Sequence, residues 1–218
     1  MSRPPTEPKI YHITHVDNLP NIIQARGLRS DSVMIAQGGP VTTIGMSKIK
    51  QRRLKEIEVY CHQDTMVGEY VPFYFGPRSV MLYILYRADD PDLGYRGGQS
   101  KIVHLEADLN ETIAWAEQQK RLWAFSLSNA GAYYVQFRNQ RAQLNQINWE
   151  AVAARNWSSP PIKEGKQAEF LLHEFFPWSL VRRIGVHSRA VAQQVHEALH
   201  QGAQHTPTVE VLTQDWYY

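Results

Sequence analysis

Four stretches of this chain carry residue types able to do chemistry. The first is Tyr11-His12-Ile13-Thr14-His15, where imidazoles and a hydroxyl alternate with apolar residues. The second is a basic cluster, Lys48, Lys50, Arg52, Arg53 and Lys55, which reads either as a solvated helix face or as a contact for phosphates. The third is Val71-Pro72-Phe73-Tyr74-Phe75-Gly76-Pro77-Arg78-Ser79, an aromatic run ending in an arginine. It reads either as a core strand or as a base-stacking wall with a phosphate ligand. The fourth is Lys166-Gln167-Ala168-Glu169-Phe170, a carboxylate inside an apolar strand. Such a glutamate either faces solvent on the alternate side of the strand or stands on the wall of a cleft.

Other chemistries are not supported. The sequence has no phosphate loop of the GxxxxGK[ST] type, no GxGxxG and no GxSxG. With one cysteine, Cys61, there is no thiolate zinc cluster, and His12 and His15 lack an HExxH context, so no metal is expected.

These residues need elements to hold them. Lys9–Ile13 reads as a strand, followed by a helix with Asp17 as N-cap and Gly27 as its stop. Residues 30–46 read as a Gly/Ser/Thr loop, and a basic helix follows over 46–57. Strands are predicted at 70–75, 101–106, 123–126, 167–172, 181–186 and 208–212. Helices are predicted at 107–119, 133–144, 149–154 and 190–201. Residues 79–86 fit strand or helix equally, and Ser158-Ser159-Pro160-Pro161 marks a tight loop. Many short strands without regular βαβ alternation give an α+β class and disfavour a doubly wound sheet.

At 218 residues, 43% hydrophobic and 20% charged, the chain is long enough for one sizeable core, and no linker or repeat divides it. One domain over 1–218 is therefore expected. The polar, Pro-rich start lacks the apolar segment of a secretion signal, and no apolar run is long enough to cross a membrane. A single cysteine fits a reducing cytoplasm. A net charge of +2 does not by itself announce a polyanion partner.

Singly none of these stretches is specific; together and in this order they resemble the DarT family of DNA ADP-ribosyltransferases. The closest correspondences are YHITHVDNL at 11–19, VPFYFGPRSVMLY at 71–83, GGQ at 97–99 and KQAEFL at 166–171, and the resemblance runs to the terminal Asp215-Trp216-Tyr217-Tyr218. It implies the ADP-ribosyltransferase fold, with a split pair of central β-sheets flanked by helices and NAD+ in the cleft between them. His12, Ile13, Thr14, Asn18 and Arg53 correspond to cofactor-binding residues. Residues near 35–53 correspond to an element covering the cofactor. Arg53 and Glu169 correspond to the catalytic arginine and glutamate. Arg78, Ser79 and Tyr83, then Arg155, Asn156, Trp157, Ser158, Lys163, Lys166 and Gln167, correspond to DNA-contacting stretches.

The residue types suit that chemistry. A carboxylate stabilises positive character at the ribose C1′ when the nicotinamide bond breaks. An arginine orients and neutralises, and with a pKa of ~12 or more it is a poor base. The implied partners are single-stranded DNA and an antitoxin, macrodomain-type or another glycohydrolase, that removes the ADP-ribose. One position departs from the family. Thymine-modifying members read Phe-Thr-Asp-x-His where this chain has Phe125-Ser126-Leu127-Ser128-Asn129. An asparagine cannot shuttle protons as histidine does, but its amide offers a donor and an acceptor edge. That difference tilts the expected acceptor from thymine towards guanine. Transfer to RNA or protein, and a non-catalytic DNA-binding module, are the competing readings.

Overall fold

The computed structural model describes residues 3–218. The chain begins with β1 (Lys9–His15), α1 (Leu19–Gln24), β2 (Gly27–Arg29), α2 (Asp31–Ala36) and α3 (Ser47–Lys55). It continues through β3 (Tyr70–Tyr74), α4 (Val80–Arg87), β4 (Ile102–Asp108), α5 (Leu109–Gln118), β5 (Trp123–Asn129) and β6 (Phe137–Arg138). It ends with α6 (Trp149–Ala153), α7 (Pro160–Gly165), β7 (Ala168–His173), β8 (Phe175–Pro177), β9 (Val181–Val186), α8 (Arg189–His200), β10 (Thr208–Val211) and α9 (Thr213–Trp216).

Eight strands associate in the order β10-β9-β4-β1-β3-β7-β5-β6, and β2 pairs with β8 in a small second ladder. The eight-stranded sheet is split at its middle. β1 pairs with β4 along its whole length, from Lys9↔Asp108 to His15↔Ile102, and β3 pairs with β7 from Tyr70↔His173 to Tyr74↔Glu169. β1 and β3 meet at the single pair Tyr11↔Tyr74. The cause is Pro72. Continuing that register would set Ile13 opposite Pro72, and proline has no N–H to give. The carbonyl of Pro72 faces β1 and is taken by a side chain, that of His12. A split α+β sheet with helices on its faces is thus what the ordering of strand residues produces.

The main core gathers Ile10, Val103, Leu105, Phe73, Phe170 and Trp178 with the apolar face of α8. A second cluster, including Tyr11, Ile13, Leu82, Trp216 and Tyr217, packs α4 and the C-terminus on the other face of β1. The alternation along β1 sends Ile10 to one cluster and Tyr11 to the other, as a strand period of two requires.

Several predicted elements differ. The expected loop at 30–46 contains α2, nucleated by Ser30, whose hydroxyl accepts from the backbone N–H of Val33 (3.5 Å). Residues 79–86 resolve to helix, because the Ser79 hydroxyl caps α4 at the Leu82 N–H (3.1 Å). His15, not Asp17, caps the turn before α1: its Nδ1 accepts from the Asp17 N–H at 3.2 Å. The helix predicted at 133–144 is instead the short strand β6 and a 3-10 turn, Arg141–Gln146. Here burial overrides propensity: Val135 and Phe137 join a third cluster with Val59, Tyr70 and Leu171, so alternate side chains turn inward. Pro160 opens α7 rather than a loop, filling a first-turn position where its missing N–H costs nothing. Among the described residues no helix is long and apolar enough to cross a membrane.

Candidate active site

The last turn of α3 and the middle of the sheet meet at one ion pair. Arg53 Nη1 donates to Glu169 Oε1 (3.1 Å) and Oε2 (2.9 Å), and Nη2 donates to Oε2 (3.0 Å). The two side chains are only 12% and 4% exposed, so the pair is held away from solvent. Burial works against the arginine's charge, but the Glu169 carboxylate and its hydrogen bonds outweigh it and raise the pKa further. Arg53 is therefore a fixed cation and not a proton acceptor.

Glu169 is set in place by an irregularity in β5. The register slips between Phe125 and Asn129. In that gap the Ser126 hydroxyl accepts from the Glu169 N–H (3.0 Å) and donates to the Ser128 carbonyl (2.6 Å). The same bulge aims the Ala130 N–H at Glu169 Oε1 (3.2 Å). Tyr74 sits across the ladder from Glu169, and burial, followed by the glutamate's charge, pushes its hydroxyl pKa well up. It stays a neutral donor.

Beside this pair lies a cavity of about 360 Å³ opening where β1 and β3 part. His12, Ile13, Thr14 and Asn18 line it, joined by Pro72 and Tyr74. His12 Nδ1 donates to the Pro72 carbonyl (2.8 Å), which leaves Nε2 as an acceptor. Burial lowers the pKa of His12, so the ring is neutral. Asn18 clasps the covering loop. Its Nδ2 donates to Thr14 Oγ1 (3.0 Å) and to the Thr42 carbonyl (2.8 Å), and its Oδ1 accepts from the Thr42 N–H (2.9 Å). Gly38 and Gly39 in that loop adopt φ of +94° and +86°, a conformation other residues rarely take. Lys50 of α3 pairs with Asp31 of α2 at 2.7 Å across the mouth. The cavity thus presents neutral acceptors, hydroxyls, the cations of Arg29 and Lys50 and the Asp31 carboxylate to a polar, extended ligand.

On the other side of Glu169, Asn129 Nδ2 donates to Gln167 Oε1 (3.2 Å), and its Oδ1 accepts from the Gly131 N–H (2.8 Å). A separate aromatic group joins Trp157, Tyr83 and Tyr218. Trp157 Nε1 donates to the Tyr218 hydroxyl (3.2 Å), and the Trp157 ring meets Tyr83 edge-on at 5.0 Å. The Arg78 guanidinium lies over the Tyr218 ring at 4.4 Å. Arg155, Asn156, Ser158 and Lys163 are exposed around it.

A family model described as "ssDNA thymidine ADP-ribosyltransferase, DarT" matches residues 11–218. The chain belongs to the DarT family. It is 36% identical to the DNA ADP-ribosyl transferase of Thermus sp. (strain 2.9) over 222 residues, covering all of both chains. The fold superposes on Thermus sp. 2.9 DarT in complex with ADP-ribosylated ssDNA, with a TM-score of 0.87, 33% identity and full coverage of both chains. It also superposes on the same Thermus enzyme in complex with NAD+, with a TM-score of 0.82 and 32% identity over 99% of this chain and 100% of the other. As a DarT, the chain is an NAD+-dependent DNA ADP-ribosyltransferase.

Within this DarT the structure brings together His12, Ile13, Thr14 and Asn18 at one cavity. Arg53, also expected at the cofactor, and Glu169 do not line it; Tyr74, which does, stands across the ladder from Glu169. Two residues expected on the DNA side are placed otherwise. Ser79 is 2% exposed and its hydroxyl is spent on capping α4. Lys166 is 6% exposed, and its ammonium donates to the carbonyls of Val152 (2.9 Å) and Ala154 (2.8 Å), tying α6 to α7. Burial, with Arg78 adding to it, lowers the Lys166 pKa to about 8. The aromatic run also divides: Phe73 and Phe75 are core, while Tyr74 alone reaches the cavity. Tyr74 belongs to the aromatic run singled out in the sequence, whereas nothing in the sequence marks Asp31 or the Ser126 hydroxyl.

Proposed function

We propose that Arg53 and Glu169 form the catalytic pair of an enzyme that moves ADP-ribose from NAD+ onto a base of single-stranded DNA. The buried bidentate ion pair, with cavity-lining Tyr74 across the ladder from Glu169, carries this reading. His12, Thr14 and Asn18 supply polar atoms for the cofactor, and Lys50 a cation for its phosphates. Bound NAD+ would supply the ADP-ribosyl group: positive charge develops at C1′ as the nicotinamide bond breaks, nicotinamide leaves with that electron pair, and the base nitrogen bonds to C1′ and gives up its proton to solvent. Glu169 stabilises that charge and orients the ribose hydroxyl. Arg53 holds the carboxylate and cannot take a proton. Neutral Tyr74 donates a hydrogen bond towards the reacting group.

For the acceptor we propose thymine, the base named in the description of the matching family. Guanine, suggested by Asn129 in place of histidine, is the second reading. The asparagine amide spends its oxygen and one N–H on Gly131 and Gln167, which limits what it can offer a guanine edge. Single strands fit because a base stacked in a duplex is out of reach of a cavity wall. One domain serves both substrates: the main core runs from Ile10 to Leu199. We read the biological setting as a cytoplasmic toxin, where NAD+ and DNA coexist, with an antitoxin glycohydrolase that clears the adduct.

Incubation with labelled NAD+ and two oligonucleotides, one lacking guanine and one lacking thymine, tests this. Label on the guanine-free strand and none on the thymine-free strand is expected. Glu169→Gln should lower the rate by at least about a hundredfold, the scale set by losing one preorganised charge. The converse labelling would make guanine the acceptor, and label only on protein or RNA would discard DNA altogether.

A further inference from the structure

Tyr133 and Tyr134 are 71% and 72% exposed, the two highest values among the described large hydrophobic side chains. Isolated exposed aromatics are ordinary, but two in succession beside a catalytic pair are not. They lie on the turn leaving β5, and that turn is fixed to the site. The Ala130 N–H donates to Glu169 Oε1 and the Gly131 N–H to Asn129 Oδ1. Buried Val135, whose N–H donates to the Ala132 carbonyl (3.2 Å), anchors its far end. The turn is also pressed onto α3. A Cβ at Gly131 would come within 3.2 Å of Asn129 Oδ1, 3.3 Å of Ile49 and 3.7 Å of Arg52.

Tyr133 is held in one orientation. The Arg52 guanidinium lies over its ring at 5.3 Å, and its hydroxyl donates to Glu56. Arg52 Nε is itself buried without a hydrogen-bond partner, so its place against the ring is not set by a bond at that atom. Consecutive residues of α3 thus do different jobs: Arg53 grips Glu169 while Arg52 backs a tyrosine. Rigid aromatic rings with few torsions lose little entropy on contact and accept any base on their faces.

We propose that Tyr133 and Tyr134, backed by Arg52, form a stacking platform for bases of the strand that flank the acceptor. The inference rests on single-stranded DNA being the acceptor. It adds a binding surface separate from the Trp157–Tyr218 group.

The test is steady-state transfer to an oligonucleotide series in which one base at a time is made abasic. Y133S/Y134S should raise the oligonucleotide KM at least about fivefold, the lower end for one lost base–aromatic stack, with kcat within about twofold. Tyr134→Phe should keep wild-type KM, and Tyr133→Phe, which gives up the bond to Glu56 while Arg52 still backs the ring, should stay within about twofold of it, because the ring face makes the stack. The rise in Tm on adding NAD+ should be the same in all variants, which reports an intact fold. At one flanking position an abasic site should raise the wild-type KM but add nothing in Y133S/Y134S. An unchanged KM in the serine variant, phenylalanine failing to restore it, or fully additive abasic losses would each overturn the platform. A wild-type protein that modifies no single strand would remove the acceptor reading and the platform with it.

Discussion

The two sides of Glu169 are built differently. The proposed cofactor side rests on β1 and the first turn after it, and its polar groups are bonded within the protein: His12 to Pro72, Asn18 to Thr14 and Thr42. The acceptor side is made of short helices and turns, with Arg155, Asn156, Ser158 and Lys163 exposed. The first is a preformed pocket whose geometry is set before any ligand arrives. The second is an exposed surface, held by aromatic contacts, the Trp157–Tyr218 bond and the two bonds of Lys166. An enclosed pocket suits a small cofactor, and an exposed surface suits a polymer that must lie across it.

Substitutions sharpen the contrast. The largest effect should come at the junction. Arg53→Lys should lower kcat about a hundredfold, since a point ammonium cannot make three hydrogen bonds to one carboxylate. Retention of most turnover in single-turnover assays would show that charge alone suffices. On the cofactor side, Asn18→Ala should raise the NAD+ KM about tenfold and leave the DNA KM alone. It strips a buried clasp and orphans the Thr42 N–H, at ~1–3 kcal/mol. Equal changes in both KM values would mean the two sides are not independent. On the acceptor side, Trp157→Ala should raise the oligonucleotide KM about fivefold with no change for NAD+. Isothermal titration with each substrate separates these cases.

The last effect concerns stability and not turnover. Burial holds His104 down to about 4, while the unfolded chain titrates near 6.5. As pH falls from 6.5 to 4, the unfolded state takes up a proton that the folded state refuses, so stability drops through that window. The loss approaches roughly 3 kcal/mol, and the dependence is absent above pH 7. Thermal melts of the wild type and His104→Phe across pH 4–7 should show a flatter slope in the variant. Parallel slopes would assign the acid sensitivity elsewhere.

What could be read in the sequence follows the same division. The YHITH segment and the KQAEFL strand are regular elements, so it was legible that His12 and Thr14 share a cavity and that Glu169 stands inside a strand. The acceptor side was read less well because polarity alone does not reveal what a polar group is bonded to. Lys166 reads as a basic contact in sequence, yet two carbonyls 12 and 14 residues away consume it. Ser79 reads as a surface hydroxyl and is a helix cap. The Asp31–Lys50 pair depended on α2, hidden in a stretch whose glycines and serines looked like loop. Residues 133–144 suited a helix locally, and only the pocket that receives Phe137 turns them into a strand.

Pro72 has one more effect. Proteins ordinarily keep unpaired strand edges at their periphery, where another chain can add to them and seed aggregation. Here a ring without a donor leaves an edge in the interior instead, where Ile13 and Pro72 face each other without joining. The loop carrying Thr42 and Gly39 lies over the same space, so no foreign strand can reach that edge. The main chain is open there only to a solute small enough to enter.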